Sequence, residues 1–183
     1  EYIIEGALYS CYTLWQLAHG EAGNKIETFT VAQMNDELMQ KMLESDYHDY
    51  RFYALKTLSS DRLLDFEDQV LKILANAKPV LRTYLLKKLP QDFISNKDNT
   101  QTIYSTFTAF DINSKSMLLN FLEYADTNAI LILSTQVTSM TSNQLKQFLH
   151  FIIANSHLYS QELHVNLSEV SETYPYRYLI EEF

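Results

Sequence analysis

The chain of 183 residues carries a formal net charge of −9, 46% apolar content and only three Gly and three Pro. That length and apolar content suffice for a continuous core, and the shortage of turn-forming residues excludes sheet-rich sandwiches and points to helices. The acidic balance removes nucleic acid from the expected partners, because phosphate recognition rests on clustered Lys and Arg.

The charge is uneven. Residues 1–50 hold nine acids and two bases, 51–115 seven and ten, and 116–183 seven and two. A mildly basic middle therefore lies between acidic ends. Cys11 is the sole cysteine, so no intrachain disulfide is expected and a small core residue is the reading. No run approaches the ~18 apolar residues of a membrane span. Membrane insertion is not expected; the chain reads as soluble, with the cytoplasm favoured. It opens on Glu1 without Met and runs straight into Tyr2-Ile3-Ile4, so a mature or excised piece of a larger protein is expected.

In chain order, residues 2–18 form a first helix with Cys11, Leu14 and Trp15 on its apolar face, ended by His19 and a left-handed Gly20. Residues 21–29, with Gly23 and Asn24, read as a loop. Thr30 and Gln33 make a capping box for a helix to about Glu44. Asp46 caps the next helix, with Tyr47, Tyr50, Ala54, Leu55 and Leu58 inward. Another follows from Asp61 to Ala75, and Pro79 and Pro90 bracket a helix over 79–89.

Asp98 or Thr100 caps a helix bearing Ile103, Tyr104, Phe107 and Phe110. Asp111 to Ser114 is a turn before the helix of Met117, Leu118 and Phe121. The apolar run Ala129 to Leu133 suits helix or strand, and helix is favoured because a lone strand has no partner. Thr141 opens a helix to about Asn155. The tail from Ser156 suggests one more helix pair, broken near Pro175, with Tyr174, Tyr176, Tyr178, Leu179 and Phe183 packing as a cap.

One octamer recurs along this series. Arg51-Phe52-Tyr53-Ala54-Leu55-Lys56-Thr57-Leu58 returns as Arg82-Thr83-Tyr84-Leu85-Leu86-Lys87-Lys88-Leu89, and weaker copies place basic anchors at Lys115, Lys146 and Arg177. The successive offsets are 31, 33, 31 and 31 residues. A period of one helical hairpin is the mark of stacked repeats.

The pattern resembles HEAT-like or armadillo-like α-solenoid repeats, with the likeness carried by Arg51/Ala54/Leu58 and Arg82/Leu85/Leu89. It differs in its short units and in lacking an Asp-rich turn before the Arg, apart from Asp46 and Asp49. The resemblance implies an all-α helical-hairpin array of about nine to eleven helices, clearest over 30–155 with atypical ends at 1–29 and 156–183. It also implies a scaffold with a groove for another protein or peptide, without catalytic residues, cofactor or metal.

Two roles are open to the anchors. Arg51 and Arg82 can pair with carboxylates of an adjoining turn, such as Asp49 or Asp65. Alternatively, Arg51, Lys56, Arg82, Lys87, Lys88 and Lys115 form a basic strip for an acidic partner. The acidic ends allow a different function, an inhibitor or immunity-like protein seated on a basic partner. A helical domain of a larger enzyme is a third.

Other constellations carry less. His150, His157 and His164 lie seven apart, but two turns separate neighbours by about 10 Å, too far to share one ion. Asp61, Asp65, Glu67 and Asp68 suit a helix start favoured by its dipole. His48 between Asp46 and Asp49 has the same explanation. Asn166-Leu167-Ser168 is an acceptor sequon, relevant only to a secreted chain. Gly-rich phosphate loops, Gly-x-Ser-x-Gly and Cys-x-x-Cys do not occur.

Overall fold

The computed structural model describes residues 6–183, and every regular element in that span is helical. Helices α1 (Ala7–His19) and α2 (Glu21–Gln33) form a first hairpin and pack on each other. The expected start of α1 in residues 2–5 lies outside the described residues. The loop expected over 21–29 is instead helix. Gly23 and Asn24 cost α2 up to about 1 kcal/mol each in propensity, but Lys25 pairs with Glu21 one turn back and Thr28 donates to the Asn24 carbonyl.

Gly20 is extended, with φ −94° and ψ −174°, rather than left-handed. It serves both helices, and its hydrogen explains the glycine: a Cβ there would come within 2.3 Å of the Gln16 carbonyl oxygen. Thr30 does not start a helix either. Helix α3 (Asp36–Leu43) begins at Asn35, whose Oδ1 accepts from Leu38 N.

Helix α4 (His48–Thr57) starts without a side-chain cap bond, so Asp46 is not its cap. A 3-10 segment over Asp61–Phe66 replaces the first part of the expected helix and leads into α5 (Glu67–Asn76). Pro79 opens α6 (Pro79–Lys88) as expected, and a short helix α7 (Gln91–Ser95) fills the polar stretch beyond. Asn96, rather than Asp98 or Thr100, caps α8 (Lys97–Ser105) by accepting from Asp98 N and Asn99 N.

Asp111 caps α9 (Ile112–Leu119), and Asp126 caps α10 (Thr127–Ser134), which holds the ambiguous apolar run as helix. That run is apolar all round because α8 and α12 (Gln161–Ser168) both pack on it. Thr141 and Gln144 complete a reciprocal capping box on α11 (Ser142–Ala154), and α13 (Arg177–Glu181) ends the series. Among the described residues the α-helices outnumber the expected nine to eleven, because α2 stands where a loop was expected and α7 fills a stretch read as polar.

Packing follows a regular order. Helix α5 touches α3 and α8, α8 touches α10, and α10 touches α12; beside them α6 touches α9, α9 touches α11, and α11 touches α13. One apolar core runs through these elements from Met39 to Ile180. Polar bonds keep the same step. Asn99 Nδ2 to Glu67, Gln136 Nε2 to the Tyr104 carbonyl, Gln144 Nε2 to the Ile112 carbonyl and Asn166 Nδ2 to Ser134 Oγ each span 32 residues.

Helices α1 and α2 stand apart from that core. Among their described side chains none is buried. The first helix was expected to face inward through Cys11, Leu14 and Trp15; all three are exposed. Tyr47 and Tyr50 also point outward, whereas Ala54, Leu55 and Leu58 are buried as expected. The apolar pattern marked α1 and α4 as helices, but burial also needs a neighbour on the far side.

Candidate functional site

The repeated basic positions do different work at each level of the molecule. Arg82 is only 5% exposed. Its Nε donates to the Leu74 carbonyl at 2.8 Å and its Nη2 to the Ala75 carbonyl at 3.3 Å, satisfying carbonyls in the last turn of α5. Its Nη1 reaches Asp111 Oδ2 at 3.3 Å, and the guanidinium lies over the Phe110 ring at 4.4 Å. Only a planar fork offers donors in several directions while its face stacks on a ring.

The turn carboxylate that pairs with Arg82 is thus Asp111, not Asp49 or Asp65. Burial raises the Asp111 pKa, but hydrogen bonds from Ser114 and Arg82 outweigh it and hold the carboxyl below its ordinary range. The same residue caps α9 through Asn113 N and Ser114 N. One carboxylate therefore fixes the start of α9 and, through Arg82, the end of α5.

Lys115 is also buried, and donates forward to the Ser139 carbonyl at 2.9 Å while lying over Phe107. Burial lowers its pKa, with the Asp111 charge opposing. Lys88 donates to the Leu55 carbonyl, tying α6 to α4. Arg177 Nη1 gathers the carbonyls of Leu167 and Ser168 in the last turn of α12 and of Val170 just past it, a close analogue of what Arg82 does for α5. Lys146, at the equivalent position, is exposed.

Arg51 is half-buried, and its Nε is buried without a hydrogen-bond partner. Lys56 and Lys87 are exposed, and neither takes part in an ion pair among the described residues. Of the six strip residues, Arg82 and Lys115 are consumed by the fold, Lys88 is partly committed, Arg51 is half-buried, and Lys56 and Lys87 have their charge open to solvent. The distinction depends on which carbonyls lie nearby, which no local pattern signals.

Two of the four clustered carboxylates are held by the fold, and Asp61 and Asp68 are exposed. Asp65 pairs with Arg62 at 3.0 Å and Arg62 continues to Asp36 at 2.6 Å, while Glu67 accepts from Asn99. His48 faces Asp49 at 3.5 Å. His164 bonds the Tyr159 hydroxyl, and His150 is exposed on α11. Among the described residues, no three His, Cys, Asp or Glu side chains are grouped to hold a metal ion, and no helix is long and apolar enough to cross a membrane. In the sequon, the Asn166 nitrogen that a glycan would occupy is spent on Ser134.

Concavities are open grooves. One of about 530 Å³ runs where α2 faces α3 and α4, lined by Ile26, Thr30, Met42, Tyr50 and Tyr53. Its apolar lining was not foreseen, because residues 21–29 read as loop. No family model, no curated protein and no solved structure matches the chain.

Proposed function

We propose that the chain is a protein-binding scaffold, a HEAT-like array of helical pairs whose exposed faces hold another protein or peptide. The observation that carries this reading is the set of side-chain bonds spanning 32 residues, which agrees with the 31–33-residue spacing of the basic anchors. Units joined only to their neighbours build an elongated surface that serves for binding. The charge of the middle segment supports an acidic partner, with the exposed Lys56 and Lys87 as first contacts.

Partners captured on the immobilised full chain test this. Their affinity for a Lys56→Glu/Lys87→Glu variant should fall at least about tenfold, roughly 1.4 kcal/mol, with helical circular dichroism unchanged. Equal affinity for both proteins rejects the cationic surface. Arg82→Glu is unsuitable for this purpose, since it would break the α5 and α9 contacts as well.

A further inference from the structure

Lys146 is released from the work its counterparts do. Arg82 and Arg177 each donate to the carbonyl seven residues before them, those of Ala75 and Val170. Seven residues before Lys146 stands Ser139, and Lys115 of α9 already donates to that carbonyl at 2.9 Å. The Lys146 side chain is left exposed, and it takes part in no ion pair among the described residues. It lines a groove of about 260 Å³ between α11 and α13.

Lys146, Leu149, His150 and Ile153 follow one face of α11 at helical spacing, and Leu179, Glu182 and Phe183 line the groove from α13 and the two residues after it. Glu182 is exposed and, like Lys146, in no ion pair among the described residues. One groove therefore holds a cation and a carboxylate that do not pair with each other, beside the apolar side chains of Leu149, Ile153, Leu179 and Phe183.

We propose that this groove binds a free α-amino acid with an apolar side chain, its carboxylate held by Lys146 and His150 and its ammonium by Glu182. Charge selects the class. A ligand of both signs complements both walls, whereas a lone carboxylate is repelled by Glu182 and a lone amine by Lys146. The Lys146 ammonium carries three donors, and the His150 imidazole offers an N–H in either protonation state. Size agrees, because about 260 Å³ lies just under the ≈ 300–1,000 Å³ of pockets for drug-sized ligands. The ligand's side chain would cover Ile153, which is 60% exposed. The assignment does not rest on the scaffold reading.

Titrating the nitrogen-15-labelled full chain with L-phenylalanine, whose ring moves the resonances of nearby amides, tests this. Saturable shifts are expected at residues 146–153 and 179–183, with a Kd of about 1 mM or below. 3-Phenylpropionate and phenethylamine, each lacking one of the two charges, should bind at least about fivefold more weakly. Lys146→Ala should weaken phenylalanine by about tenfold without weakening phenethylamine. Glu182→Gln should weaken phenylalanine without weakening 3-phenylpropionate. Both positions are exposed, so the amide spectrum away from the groove should stay unchanged. No saturable shift at these residues up to about 20 mM ligand, well above that Kd, overturns the proposal. So does equal affinity for the amino acid and either single-charge analogue, or phenylalanine binding that survives both substitutions.

Discussion

Each helix from α3 to α13 gives at least two buried side chains to the protein, whereas α1 and α2 give none among their described residues. Apolar content does not separate the two regions, because α1 is among the most apolar helices present. Neighbours do. Helix α10 has α8 and α12 on either side, while α1 packs on α2 and leaves its outer face to water. A hairpin that gives no side chain to the core is held less firmly than helices that do.

The comparison is sharpest between two phenylalanines. Phe148→Ala, at a fully buried position on α11, should cost about 4 kcal/mol in urea unfolding, as large core truncations do. Phe29→Ala, on exposed α2, should stay within about 0.5 kcal/mol. Similar losses at both sites would show that α1–α2 is as firmly integrated as the rest.

Arg82→Ala should follow, at about 3 kcal/mol, because it strands the Asp111 charge and two α5 carbonyls. The acid side of the stability profile checks the same contact. Asp111 has a folded pKa below its unfolded one, so its contribution is present above the ordinary carboxylate pKa of about 3.9 and disappears as pH falls through the folded value. Asp111→Asn should flatten the profile below about pH 4. Lys115 has the opposite sense: burial lowers its pKa, so its charged form costs stability, and that cost is relieved as pH rises toward the unfolded value near 10.4.

Gln144→Ala should cost about 1–2 kcal/mol, removing bonds to Ile112 and Ser116 and half of the capping box on α11. Asn96→Ala should cost about 1 kcal/mol through the α8 cap alone. Smallest of all, Lys41→Ala should leave the midpoint unchanged, since its pair with Glu37 is solvent-exposed.

Local chemistry made much of this fold legible. Pro79 and Thr141 mark helix starts because each lies within a residue or two of the first turn it favours, whereas Asp111, read only as part of a turn, is the cap of α9. Gly23 and Asn24 misled, since their low propensity is outweighed by pairs one turn apart. Exposure of Cys11 and Trp15 was illegible because a stripe of apolar side chains announces a face, not its partner. The anchors divide in the same way: the Arg82 register is visible in sequence, but its work on Leu74, Ala75 and Asp111 depends on a fold-made pocket.

Backbone amide exchange, followed helix by helix, tests the unequal integration of the two regions most directly. The expected result is exchange of α1 and α2 at low opening free energy, with protection rising from α3 and highest in α8 and α10. Protection of α1 and α2 equal to that of α8 and α10 would contradict it.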